Sequence, residues 1–196
     1  VVAPWPEEHL EALEYQWKVA VKYWGAENRL LDKKGINVCF EMHPNFLVYN
    51  PETMMKLRAA CGERICCNFD PSHLWWQGIE PSAAIRWMQE DASVIKHFHA
   101  KDVLVYEWNS KVNGVLDTKH YGDEINRSWL FRTVGYGHGV AVWNDIISTL
   151  RMTGYDGTLS IEHEDSLMTP NEGFMKAIAL MKECCIKEAP GGMTWA

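Results

Sequence analysis

No stretch of this 196-residue chain approaches the roughly 20 apolar residues that a membrane-spanning helix requires. The opening, Val1 to Pro6, does not have the pattern of a signal peptide, so no membrane partner and a cytoplasmic location are expected. Basic residues are in deficit, 19 against 26 acidic ones. The resulting charge of −7 and pI near 5.6 speak against a nucleic-acid partner, which would show as a basic face. Cys-x-x-Cys spacing is absent too. The six cysteines fall at Cys39, Cys61, Cys66-Cys67 and Cys184-Cys185, and adjacent cysteines pair poorly. A structural zinc cluster and a disulfide framework therefore both drop out, leaving reduced, mostly buried thiols. No glycine-rich phosphate cradle is evident; Gly135-Tyr-Gly-His-Gly139 is a lone candidate.

What remains is a chain of one-domain length, 47% apolar and unusually rich in tryptophan, with ten. The order of its segments is regular. Glu7 to Lys34 carries apolar residues at helical spacing and stops at Gly35. Ile36 to Glu41 reads as a buried strand, and Asn50-Pro51 caps a helix running to Ala60. Ile65 to Asp70 is a second strand, and Glu80-Pro81 opens a helix to about Asp91. Val94 to His99 is a third strand. Residues 101–138 form a long polar connection of the kind that serves as a lid or binding loop. A helix over Val140 to Met152, a fourth strand over Thr158 to Glu162 and a helix over Pro170 to Lys187 complete the domain, taken as residues 1–188 with a flexible tail over 189–196. Strand and helix alternating at this spacing predict βαβ units and a parallel sheet. The fold class expected is α/β, of (β/α)8 TIM-barrel type. Only about four βα units are visible where a barrel has eight, so these are read as its C-terminal half.

Each strand ends in a residue able to bind a metal. Glu41, Asp70 and His99 are 29 and then 29 residues apart, each preceded by phenylalanine, and Glu162 follows from the fourth strand. Polar residues at strand ends can merely cap loops. Four at equivalent places on neighbouring parallel strands should instead converge at the C-terminal end of the sheet, where barrels keep their chemistry. Two glutamates, an aspartate and a histidine make a mixed oxygen and nitrogen site for one divalent ion, manganese foremost, with magnesium, cobalt or zinc as alternatives.

The strings Cys39-Phe-Glu-Met-His-Pro44, Asn68-Phe-Asp-Pro-Ser-His-Leu-Trp-Trp-Gln-Gly78, His97-Phe-His-Ala-Lys-Asp102 and Leu159-Ser-Ile-Glu-His-Glu-Asp165 resemble the sugar phosphate isomerase/epimerase family of xylose-isomerase-like barrels. The likeness covers nearly the whole chain but only the second half of the family's domain. It implies that Glu41, Asp70, His99 and Glu162 are the metal ligands, and that Glu41 and Glu162 exchange the proton beside a sugar's carbonyl from opposite faces. It also implies that His73, three residues after the metal aspartate, contacts a substrate oxygen. The expected activity is epimerisation or isomerisation of a ketose-type sugar or sugar phosphate through an enediolate. A dehydratase acting on an inosose or on dehydroshikimate is the close rival, and an inactive truncated half-barrel the non-enzymatic one. Homo-oligomerisation is left open.

Further substrate contacts are expected from His43, in phase with Glu41, from Lys101 and from Arg132; His138 is a weaker candidate in the same long segment. Lys101 carries the alternative of a solvated loop lysine. His97 is read as a buried, hydrogen-bonded histidine, Glu164 as the competitor of Glu162, and His163 as pointing away. Trp75 and Trp76 are either pocket walls or packing.

Overall fold

The computed structural model describes residues 7–89, 94–193 and 195. The expected end of one helix at Asp91 lies outside them. Helix α1 (Glu7–Lys34) spans the predicted range and stops at Gly35, whose φ of 65° is a left-handed turn. There the Gly35 and Ile36 N–H groups donate back to the Asp32 and Leu31 carbonyls, which satisfies the helix end. Strand β1 (Val38–Glu41) leads to α2 (Pro51–Cys61). Asn50 and Thr53 bond each other's backbone N–H there, and Pro51 fills the first turn. Strand β2 (Ile65–Phe69) is buried throughout and passes into a one-turn helix, α3 (Ser72–Trp75). Then come α4 (Pro81–Gln89) and β3 (Ile95–Ala100).

The connection after β3 is not structureless. Strand β4 (Asp102–Val105), helix α5 (Glu107–Asn113), a 3-10 turn (Glu124–Asn126) and strand β5 (Trp129–Arg132) build it, and β4 and β5 pair antiparallel. It is a folded ribbon with its own apolar cluster, Trp76, Val103, Trp129 and Phe131. Helix α6 (Val140–Met152), strand β6 (Leu159–Ile161) and helix α7 (Pro170–Cys184) close the chain. No helix among the described residues is long and apolar enough to cross a membrane.

Four strands form one parallel sheet in the order β1-β2-β3-β6. The main core lies between that sheet and the helices, with Phe69, Phe98, Ile85, Met88 and Trp143 fully buried. The strands climb past one another. Glu41 pairs with Asn68, two residues before Asp70, and His99 pairs with Ser160, two before Glu162. Shifts of two preserve the face on which a side chain stands, so all four residues stay in phase although they do not share a level. Such a stagger is what tilted barrel strands produce.

The ribbon is bound to the turn after β5 and to α6 through Asp102, which is fully buried. Its Oδ2 accepts from the N–H groups of Gly135, Gly137 and His138 at 2.9, 3.1 and 2.9 Å, and from Trp143 Nε1 at 3.3 Å. Its Oδ1 accepts from Val103 N at 2.9 Å and meets His138 Nδ1 at 2.8 Å. A Cβ on Gly137 would come within 2.2 Å of the Val103 carbonyl oxygen, so only glycine lets this turn approach. Replacing Asp102 by alanine strands several buried donors at once. Asp102→Ala should cost about 3–5 kcal/mol of unfolding free energy, read from denaturant melts; an unchanged midpoint would show that water satisfies the turn equally well.

Candidate active site at the strand ends

The site grows from the ends of β1, β2, β3 and β6. One ligand atom from each of Glu41, Asp70, His99 and Glu162 lies within 4.8 Å of all the others. Glu41 and Glu162 come from the two outer strands. In a flat sheet, strands three places apart are separated by about 14 Å, at roughly 4.8 Å per step. The sheet is therefore curled, and the cluster sits on its concave side. Asp70 leaves β2 just as the chain turns on Pro71, and its Oδ1 accepts from Ser72 N at 2.8 Å. Its Oδ2 is buried with no hydrogen-bond partner.

The surrounding groups are tightly coupled. His99 Nδ1 is 2.8 Å from Glu162 Oε2 and 3.7 Å from Glu41 Oε2. His73 Nε2 is 3.0 Å from Glu41 Oε1 and 3.6 Å from Asp70 Oδ2. Lys101, with only 2% of its side chain exposed, points its ammonium at Glu164 (3.1 Å), Glu162 (3.2 Å) and Asp70 (3.8 Å), and lies 4.3 Å over the Phe131 ring. It is thus no solvated loop lysine.

The electrostatics follow from burial set against these pairs. Burial pushes the Asp70 carboxyl up to about 8, only partly opposed by Lys101. The His99 hydrogen bond, opposed by burial and aided by Lys101, takes Glu162 down to about 2; the same bond raises His99. Burial is the largest influence and would raise Glu41, but the His73 bond together with the charges of His73 and His99 outweighs it, and the carboxyl falls below its ordinary value. Burial lowers His73. Lys101 is opposed by burial yet raised by Asp70, Glu162 and Glu164, so its charge is secure.

The other predicted residues divide. His43 stands beside the cluster, its ring 4.3 Å from that of His73 and stacked on Phe46 at 4.6 Å. His73, expected to contact a substrate oxygen, sits buried in α3 beside Glu41. Arg132, expected to meet substrate, is engaged by Asp165, Nε to Oδ2 at 3.2 Å, and the same oxygen accepts from Thr133 N. His138 serves Asp102 and stacks on Trp75 at 3.8 Å. His97 meets Ser160 Oγ at 2.9 Å, and His163 packs beside Phe174. Two participants went unnoticed in the sequence. Asn68, whose Nδ2 is 3.2 Å from His99 Nε2, shares the phase of Asp70 and could have been found by alternation. Phe131 carries no such signal, because it reaches Lys101 through strand pairing across the ribbon.

The donor set suits a hard or borderline divalent ion: three carboxylates, one imidazole, and a buried carboxylate oxygen without a hydrogen-bond partner. Without an ion, Asp70 favours folding while protonated; that contribution is complete below about pH 4 and is lost as pH rises through about 8. Asp70→Asn should therefore melt higher than the wild type in chelator at pH 8, with the gap closing towards pH 5. A gap independent of pH would mean that Asp70 is not buried as its own acid.

A match to the xylose isomerase-like TIM barrel family covers residues 2–184. The uncharacterized protein YfiH of Bacillus subtilis is 39% identical over 181 residues, which are 91% of this chain and 57% of that protein. An inosose dehydratase of Clostridium beijerinckii is 25% identical over 87% of this chain and 55% of its own length. Among solved structures, the probable 3-DHS dehydratase AsbF of Bacillus anthracis superposes with a TM-score of 0.56 at 17% identity, covering 82% of this chain and 54% of that one. A protein of Sinorhizobium meliloti 1021 superposes with a TM-score of 0.59 at 16% identity, covering 88% and 59%. The two superpositions speak to the fold alone. This chain spans a little over half the length of each of these proteins. By the family match and by its parallel sheet, the chain belongs to the xylose isomerase-like TIM barrel family.

Proposed function

We propose that this chain carries the late βα units of a metal-dependent barrel that moves a proton at the carbon beside the carbonyl of a sugar or sugar phosphate. In this reading the early strands of an eight-stranded barrel would pair with the outer edges of β1 and β6. The observation that supports it best is the convergence of two carboxylates from the outer strands, Glu41 and Glu162, on Asp70 and His99. Those four residues would hold one divalent ion, manganese foremost. When bound, such an ion polarises a carbonyl and favours the enediolate.

The chain's own groups divide the remaining work. One of Glu41 and Glu162 removes the proton, and the other returns it on the opposite face, which yields an epimer; return to the neighbouring carbon yields an isomer. His73 holds Glu41 through the 3.0 Å contact, and the ammonium of Lys101 offsets negative charge that develops on the substrate. Substrate contacts fall to His73, His43 and Lys101. A second reading has specific support: with Lys101 held charged 3.2 Å from Glu162, the same enediolate can lose hydroxide. One relative bears the name inosose dehydratase. Six free cysteines accord with a cytoplasmic location.

Purified protein should hold about one divalent ion per chain, and chelation should lower its melt. Glu41→Gln and Glu162→Gln should cut turnover about 10²–10⁴-fold while leaving the melt nearly unchanged. Asp70→Asn and His99→Ala should lose the ion. In deuterated water, label appearing beside the carbonyl in a ketose of unchanged mass otherwise marks the epimerase or isomerase; a product lighter by one water marks the dehydratase. Absence of both metal and exchange would sink the proposal. Full activity in Glu162→Gln with none in Glu164→Gln would move the fourth ligand to Glu164.

A further inference from the structure

A second recess adjoins the cluster, between the loop at His43–Asn45 and the ribbon. It is a cleft of about 520 Å³ that shares three residues with the site already described: His43, beside His73; His73, which holds Glu41; and Phe131, which lies under Lys101. Its walls are aromatic. Trp76 and Trp129 stack at 4.5 Å, and Tyr121 lies parallel to Phe131 at 6.5 Å.

One donor in this cleft lacks the hydrogen-bond partner that burial normally demands, and one buried cation there lacks an opposite charge. The indole N–H of Trp76 is buried, in a residue only 8% exposed, and has no acceptor. Arg127 is 1% exposed, and none of the ion pairs among the described residues includes it. Carbonyls and rings meet its guanidinium instead. Nε donates to the Trp129 oxygen at 3.3 Å, NH1 donates to the Lys119 oxygen, and the rings of Tyr121 and Trp129 lie 4.2 and 4.9 Å away. Lys119 and Asp117, also in the cleft, neutralise each other at 3.1 Å. The balance is thus one buried cation without a counter-charge, in a chain whose net charge is −7. A buried charge is costly unless an opposite one arrives, and a guanidinium matches the geometry of carboxylate and phosphate.

We propose that this cleft is an anion subsite, in which Arg127 and the Trp76 N–H receive a carboxylate or phosphate carried by the substrate while the aromatic walls cover its carbon skeleton. The inference rests on the proton-transfer reading above, because His73 and Phe131 join the two recesses. It narrows the substrate class to sugars or cyclitols bearing a negative group away from the reacting carbon. Neutral ketoses would then be poor substrates.

Calorimetric titration tests this without turnover. The intact chain would be titrated with D-gluconate, inorganic phosphate and the neutral polyol D-sorbitol, each with divalent ion present and again in chelator. The expected result is that gluconate or phosphate binds and sorbitol does not, including in chelator, where the four-ligand cluster cannot supply the anion's partner. Gluconate alone points to a carboxylated substrate, phosphate alone to a phosphorylated one. Trp76→Phe keeps the ring wall and removes only the N–H; it should weaken the bound anion about tenfold with metal content unchanged. Arg127→Lys keeps the charge and loses the planar fork, and should weaken it at least as much. Equal binding of sorbitol, binding that vanishes with the metal, no binding of any probe, or full anion affinity in Trp76→Phe would each overturn the subsite. None of these outcomes touches deuterium exchange or metal content, which judge the proton-transfer reading separately.

Discussion

The ammonium of Lys101, buried beneath Glu162, Glu164 and Asp70, is the contact on which the site's arrangement depends. Carboxylates crowded into one recess repel, and at short range in a poorly solvated place that repulsion amounts to several kcal/mol. The ammonium of Lys101 offsets it, and the His99 ring, 2.8 Å from Glu162, adds a hydrogen bond. Both leave the same strand end, two residues apart and therefore on one face. Phe131 lies against the ammonium from the ribbon side, so the ribbon helps to exclude water from the charge.

Lys101 in turn depends on the residue beside it. Asp102 gathers the turn at residues 135–138, together with Trp143 on α6, and the neighbouring lysine stands over the cluster. One short sequence, His99 to Asp102, thus places a candidate ligand, a counter-charge and the fastening of the ribbon. Sites carried on strand ends and locked by such supporting bonds hold their geometry more tightly than sites on loops. A buried acid satisfied by many donors also explains why the long connection between β3 and α6 is ordered although its composition is polar.

Much of this could be read from residues alone, and the reasons are local. The Gly35 stop, the Asn50-Pro51 start and the alternating apolar strands are signals contained within a few residues. The phase of Glu41, Asp70, His99 and Glu162 is a property of period two, which survives the register shifts because each is of two residues. What escaped detection is non-local. The irregularity between Cys67 and Asn68 appears only when two strands are laid together. Lys101 looks like any polar loop lysine until Phe131, 30 residues on, is folded over it. Arg132 looked free because Asp165, its partner, is supplied by the loop after β6. The strands β4 and β5 were hidden by the polar excursion that separates them.

The curl of the sheet carries one more consequence. Asp70 and His99 come from adjacent inner strands, whereas Glu41 and Glu162 reach each other only because the two outer strands bend inward. The distance between the two glutamates is therefore a gauge of sheet curvature, and that between Asp70 and His99 is not. Any loosening that flattens the sheet parts the proposed proton-handling pair first, and leaves behind a two-ligand remnant on the inner strands. In this architecture two-faced proton transfer is the most shape-sensitive property of the site, and weak ion binding would be the last to go.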